Sequence, residues 1–257
     1  MQDAVQLLLA WKSIAVLAWL ALLFAAERLH PAIPLPAAVA HPWLRLAGNG
    51  VLWGLNAGLS VLVVVPLTAW ATTVAPQWRP AWWAGAWGLA LDLFVLDGFI
   101  YWWHRANHRA PFLWRFHSVH HLDRTLDTTS ALRFHFGEVF LSALARAAVV
   151  IALAVPLASV LIFETVVLVA TIVHHSNLRI APRLERALSR AVVTPSIHWV
   201  HHHRVRADTD SNYSSVLSIW DRLFRSRSRT PRTADLEIGV EGREEQPVLG
   251  LIAAPFR

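Results

Sequence analysis

The feature that most constrains this chain is a set of apolar runs too long for the core of a small soluble domain. Three stretches, about Ala4 to Ala26, Val51 to Ala75 and Ala81 to Trp103, each reach the roughly 20 mostly apolar residues that a bilayer-spanning helix needs. Lys12 and Ser13 interrupt the first. It has no basic segment ahead of it, and its apolar run exceeds the roughly 7–15 residues of a signal peptide, so it reads as a retained span. Trp78, Trp82 and Trp83 cluster at one end of the third run, with Tyr101, Trp102 and Trp103 at the other, as in the aromatic belts of both membrane interfaces. Composition agrees: 55% of residues are hydrophobic and 16% charged, whereas soluble domains average about 45–50% and about 25%.

The stretch from Val139 to Val173 contains Arg146, Pro156 and Glu164. As one helix it would be about 50 Å long, more than a bilayer needs. Two short spans turning near Pro156 fit better, and an even number of crossings puts the histidine-rich segments on either side of it on one membrane face. Residues 1–103 balance to zero charge, so the net +6 lies wholly in residues 104–257. Residues 179–232 hold eleven Arg against four acidic residues, and the positive-inside rule turns both histidine-rich segments toward the cytoplasm. The expected fold class is therefore all-α, a single integral membrane helical bundle with a cytosolic His-rich helical cap. Its divisions would be three spans in 1–103, a first cytosolic segment in 104–138, a membrane hairpin in 139–174, and a second cytosolic segment with the tail in 175–257. The basic half alternates with long apolar runs, which is no nucleic-acid profile. The chain has no Cys, which excludes disulfides, zinc–thiolate sites and Cys-ligated iron–sulfur clusters.

Twelve of the fourteen His lie between His104 and His203. His104 and His108 form H-x3-H; His117, His120 and His121 form H-x2-H-H; His198, His201 and His202 repeat it, with His203 adjoining. His135 and the pair His174–His175 stand between. Residues three and four apart share a helix face, so each H-x2-H-H is expected to offer three imidazoles to one point. Imidazole suits zinc, copper, iron and nickel. A zinc ion takes three or four protein ligands, so eight to ten converging His imply two metal ions. H-E-x-x-H is absent, which removes the helix-borne zinc protease, and Glu-x-x-His occurs once, at Glu27–His30 outside the boxes, short of the paired motifs of the carboxylate di-iron bundle.

The ordered runs D-G-F-I-Y-W-W-H-R-A-N-H, W-R-F-H-S-V-H-H, R-F-H-F-G-E, H-H-S-N and H-W-V-H-H-H-R, followed by N-Y-S-S-V-L-S-I-W-D-R-L-F, resemble the fatty acid hydroxylase (sterol desaturase) superfamily in its bacterial branch. The resemblance covers about residues 90–257. It implies two non-haem iron ions held by His, with O2 as co-substrate. The expected reaction is hydroxylation or desaturation of an unactivated C–H bond in a fatty acyl lipid, sterol or carotenoid drawn from the bilayer. Electrons would come from an external carrier, a small haem or iron–sulfur protein with its reductase, and the enzyme would sit in a bacterial inner membrane. The matched positions are His104, His108, His117, His120, His121, His175, His198, His201 and His202, with His135 as a tenth. Thr171 stands where other members show a His four residues before His175, and His203 falls outside the set.

Asp97, Tyr101, His104 and His108 share one helical stripe, so Asp97 and Tyr101 are candidates for holding the imidazoles. Asp92 reads as an inter-helix bond rather than a cavity residue. Asn177, Asp221, Glu138 and Tyr213 are polar residues of the matched motifs, open to a supporting role or a purely local one. Arg179, Arg183, Arg186 and Arg190 face anionic headgroups or an acidic electron carrier. Two rival functions use the same histidines: a divalent-metal transporter and a zinc-dependent lipid hydrolase.

Overall fold

The protein is described here by a computed structural model covering residues 2–34 and 42–257. Among these residues the regular secondary structure is helical: α1 (Gln2–Leu29), α2 (Pro42–Leu59), α3 (Val65–Val74), α4 (Gly85–Arg109), α5 (Pro111–His121), α6 (Phe136–Leu153) and α7 (Leu157–His175). Five short helices complete the cap: α8 (Pro182–Leu188), α9 (Pro195–His201), α10 (Arg206–Thr209), α11 (Ile219–Leu223) and α12 (Val248–Ala253). Four helical stretches are long and apolar enough to cross a membrane, namely Pro42–Val74, Gly85–Arg109, Phe136–Leu153 and Leu157–His175.

Prolines mark where these helices change course. Between α2 and α3 the chain passes through a π-helical turn, Ser60–Val64, just before Pro66. Pro66 has no N–H for the carbonyl four residues back, and the widened turn absorbs that missing bond without ending the helix. Pro156 closes the hairpin: α6 ends with Ala154 in the left-handed region, at φ 49°, and Pro156 caps α7. Ala154 N–H donates to Ile151 O and Val155 N–H to Val150 O. The last carbonyls of α6 accept from outside, Ala152 O from Trp78 Nε1 and Ala154 O from Arg79, so the turn is tied to the α3–α4 loop. The turn expected near Pro156 is thus present, between antiparallel helices of 18 and 19 residues, each long and apolar enough to cross a membrane.

The helices alternate in direction. The C-terminal ends of α1, α4 and α7 meet the N-terminal ends of α2 and α6 at one pole, through Glu27 to Thr128 and Asn177, Arg45 to Asp123, and His117 to Glu138. At the other pole Asp92 accepts from Arg79, from Trp83 Nε1 at 2.9 Å and from Ser159 Oγ at 2.6 Å, the inter-helix bond expected of it. Between the poles Ala71, Leu96, Val150, Val160 and Phe163 pack α3, α4, α6 and α7 together, and α1 lies along α7 through Val16, Leu23 and Ile172. Helix α7 is the central one, with 39% of its most apolar window buried against 11% for Pro42–Val74. The outward faces carry Trp53, Val61, Leu62 and Trp70, apolar side chains turned to lipid rather than water. Mid-bundle, Glu164 of α7 accepts from Lys12 of α1 and pairs with Arg146 of α6, both at 2.9 Å.

The boundary expected at residue 103 falls inside α4, which continues for a turn and a half to Arg109. His104 and His108 therefore ride on the same rigid rod as the apolar segment below them. This positions the site.

Candidate metal centre

Nine histidines converge at the pole where α4, α5, α7 and α9 meet, and they form two groups. Ring nitrogens of His104, His108, His117, His121 and His201 lie within 4.8 Å of one another, as do those of His120, His175, His198 and His202. All are buried except His104, which is partly exposed. The rings of His121 and His202 stack at 4.2 Å and 18°, joining the groups.

Each H-x2-H-H box is split between the groups rather than aimed at one point, which corrects the expectation from spacing. His117 and His121 serve the first group and His120 the second; His198 and His202 serve the second and His201 the first. The reason is angular. At 3.6 residues per turn, positions i and i+4 differ by about 40° while i+3 and i+4 diverge by about 100°. An i,i+4 pair can therefore share a point that the i+3 residue must miss. Two such helices, α5 and α9, exchange their odd members and so build two sites at once.

Hydrogen bonds orient the imidazoles. Nδ1–H of His104 donates to Tyr213 O at 2.8 Å, that of His201 to Ser211 O at 2.6 Å, that of His120 to Arg133 O at 3.1 Å and that of His175 to Thr171 O at 2.8 Å. His117 Nδ1 lies 2.7 Å from Glu138 Oε1. Carbonyl and carboxylate oxygens only accept, so each of these Nδ1 atoms carries a proton and Nε2 is the nitrogen left to face the group; in a neutral ring it presents a lone pair. Burial first, and then the charge of neighbouring imidazoles, pushes the pKa values of His120, His121, His198, His201 and His202 well below the usual range, so these rings are neutral.

Two pairs face each other through Nε2: His104 and His117 at 3.1 Å, and His120 and His175 at 3.0 Å. His175 and His198, and His198 and His202, also approach to 3.0 Å through Nε2. Among the described residues no hydrogen-bond partner exists for either ring nitrogen of His108 or His121, for Nε2 of His201, or for Nδ1 of His198 and His202. Buried acceptors left in this state are costly in water-free surroundings, and a cation among them removes the cost. The spacing is also right. Nitrogens about 2.1 Å from an ion and at right angles around it are about 3.0 Å apart. The residues present therefore fit a pair of metal ions held by imidazole alone, a donor set that iron, zinc, copper and nickel all accept.

The supporting residues divide differently from the sequence expectation. Glu138 bonds a histidine directly, and Asn107 Nδ2 also donates to it at 3.3 Å. A Cβ on Gly137 would stand 2.6 Å from the Phe116 ring, so only glycine lets the first turn of α6 approach α5 closely enough for this contact. Asp221 accepts from Tyr213 N and Ser214 N at 2.8 and 3.0 Å, and so fixes the carbonyl that holds His104. Asp97 does not reach an imidazole; it accepts from Trp220 Nε1 at 2.7 Å and Leu217 N at 3.1 Å. It shares the stripe of His104 but lies two turns lower, about 10 Å along the axis. Tyr101 Oη pairs with Ser226 Oγ, and Asn177 ties the end of α7 to Ile33.

His135 stands outside both groups. Its Nδ1 accepts from Gly137 N at 2.9 Å and its Nε2 lies 3.1 Å from Ile252 O, which makes it a helix cap covered by the C-terminal segment. The His174 ring packs 4.0 Å from His198 without joining either group, and His203 bonds Asp208 at 2.8 Å. Sequence reasoning had no access to the carbonyls of Ser211, Tyr213, Arg133 and Thr171, because backbone acceptors leave no residue signature. Glu138 did leave one: an acid at the start of an apolar helix, where the helix dipole favours it.

Comparison with known proteins adds a second line. The family model described as fatty acid hydroxylase matches residues 89–226, a span that contains all nine histidines. An ornithine lipid hydroxylase of Rhizobium tropici is 27% identical over 220 residues, covering 85% of this chain and 65% of that protein. Alkylglycerol monooxygenases of Danio rerio and Homo sapiens are 32% and 31% identical, each over 55% of this chain and 31% of the relative. The chain thus spans just under two thirds of the first relative and about a third of the others. No solved structure matches it.

Proposed function

The chain belongs to the fatty acid hydroxylase family, and from that premise we propose that it is a di-iron, O2-dependent hydroxylase of a membrane lipid, acting on an unactivated C–H bond of an acyl-type chain. As a member of that family it is an oxidoreductase with membrane helices. The observation that carries the finer reading is the pair of buried imidazole groups, in each of which ring nitrogens converge to about 3 Å. His104, His108, His117, His121 and His201 would hold one iron and His120, His175, His198 and His202 the other. Bound there, the irons supply O2 activation and the redox equivalents for C–H cleavage.

The balance is R–H + O2 + two electrons + two protons → R–OH + H2O, with the electrons from an external haem or iron–sulfur carrier. The chain's own residues orient and exclude. The carbonyls of Arg133, Thr171, Ser211 and Tyr213 turn the Nε2 atoms of His120, His175, His201 and His104 inward, and the packed cap keeps bulk water from the groups. The apolar outer faces favour a substrate arriving laterally from the bilayer. The arginine excess of residues 179–232 supports a cytoplasmic cap, and the alternating direction of α1, α2–α3, α4, α6 and α7 supports five crossings of a bacterial inner membrane.

The transporter reading fares worse, since the histidines gather at one pole of the bundle and charged residues along it, as in Lys12–Glu164–Arg146 and Arg79–Asp92, pair with one another. The test is purified protein from cells fed isotopically enriched iron. Two coupled irons per chain by Mössbauer spectroscopy, and lipid hydroxylation that takes its oxygen from O2, are the expected results. Tightly held zinc with turnover in the absence of O2 would replace this reading with the hydrolase.

A further inference from the structure

The two histidine groups are not equivalent in what stands behind them. In the five-histidine group, His117 Nδ1 lies 2.7 Å from the Glu138 carboxylate. A second carboxylate faces the same group: Asp210 Oδ1 lies 3.5 Å from His108 Nδ1. Neither of those two atoms has a hydrogen-bond partner among the described residues. Arg206 holds this arrangement from outside, donating through Nε to Asp210 Oδ2 and through a terminal nitrogen to His108 O, both at 2.9 Å. His104 and His201 are braced by carbonyls, so four of the five imidazoles have a partner or a facing carboxylate behind them.

The four-histidine group has weaker support. His120 and His175 are held by carbonyls, while His198 and His202 have no partner at Nδ1 among the described residues. No carboxylate hydrogen-bonds to any of these four among the described residues. We propose that Glu138 and Asp210 are positioning residues that make the five-histidine group the tighter metal position, so that a divalent cation fills it before the four-histidine group. The inference rests on the dinuclear reading above. An imidazole bonded to a carboxylate is fixed in ring orientation and tautomer and is a stronger base at its other nitrogen, and a bound dication gains from nearby negative charge. The preference thus comes from two side chains on separate elements, the first turn of α6 and the residue after α10.

The experiment is an anaerobic titration of the full-length, chelator-stripped protein in mild detergent with Co2+, followed by calorimetry and by the visible absorption of the bound ion. Wild type should bind in two steps. Glu138→Gln, which keeps size and shape, should weaken the first step by about 10–100-fold and alter the spectrum of the first equivalent, leaving the second step in place. Asp210→Asn should weaken the same step by less. His198→Ala should remove the second step and preserve both the first step and its dependence on Glu138. Two steps of equal affinity, a Glu138→Gln effect on the second step, or loss of the first step in His198→Ala would each overturn the proposal while leaving a dinuclear centre standing. Failure to bind any Co2+ or Fe2+ would bring down the dinuclear reading itself, and this inference with it.

Discussion

Two buried polar clusters sit side by side under the cap, and they are built on opposite principles. In the first, Arg45 of α2 donates to Asp123 at 2.6 and 2.8 Å, to Asp127 at 3.0 Å and to Ser130 Oγ at 2.9 Å. Burial alone would raise the Asp123 carboxyl, but the guanidinium charges of Arg45 and Arg133 overcome it and hold the carboxyl at about 2. In the second, the histidine groups, ring nitrogens face ring nitrogens and several buried nitrogens lack partners among the described residues. A cluster whose donors and acceptors close on one another is a strut. One in which ring nitrogens converge without partners is a site able to hold a cation.

The sharpest way to break this contrast is to remove a ligand. His120→Ala and His201→Ala take one imidazole from each group, and each should abolish lipid hydroxylation and lower the bound metal, read by product analysis and metal content. Turnover surviving in either variant would end the assignment. Next in size, Arg45→Met strands two buried carboxylates and should lower stability by about 3–5 kcal/mol, measured by denaturant unfolding followed through tryptophan fluorescence. The strut also predicts an acid limb. The folded-state pKa of Asp123 lies below its unfolded value, so its contribution, about 2 kcal/mol, is present above pH 4 and disappears as pH falls toward 2. An Arg45→Met protein should lack that limb, and an unchanged acid profile would count against the strut.

A smaller effect is expected at Trp220→Phe, which takes from Asp97 the indole donor at 2.7 Å and leaves it the amide of Leu217. A loss of about 1–2 kcal/mol with full metal content is the prediction, and loss of metal would mean that Asp97 serves the site after all. Least of all, Arg204→Ala breaks an exposed pair with Glu237 and should leave the melting temperature unchanged within error.

Much of the fold was readable from the chain. The Pro156 break, the apolar runs and the aromatic residues at their ends follow from hydropathy and from what proline does to a backbone. The site was readable as a list of imidazoles but not as an arrangement. Asp97 shared a stripe with His104 and was still two turns out of reach, and His135 matched a motif yet caps α6 under the C-terminal segment. Glu138 lies 21 residues from the imidazole that it touches, and Asp210 lies 102 residues from the one it faces, separations at which no local pattern speaks.

What the sequence determined by itself is therefore local and one-dimensional: which segments prefer lipid, where helices must stop, and which side chains carry lone pairs for a metal. Periodicity encodes direction around one helix axis, and it aimed all three members of each box at one point, where the structure keeps only His117 with His121 and His198 with His202. What only the tertiary structure decided is how those axes meet. The crossing of α5 and α9 divides each histidine box between two groups, and the carbonyls of residues 211 and 213 choose the tautomer that turns Nε2 inward. Contacts between distant segments depend on the packing of the whole bundle, and a metal-binding geometry is made of such contacts.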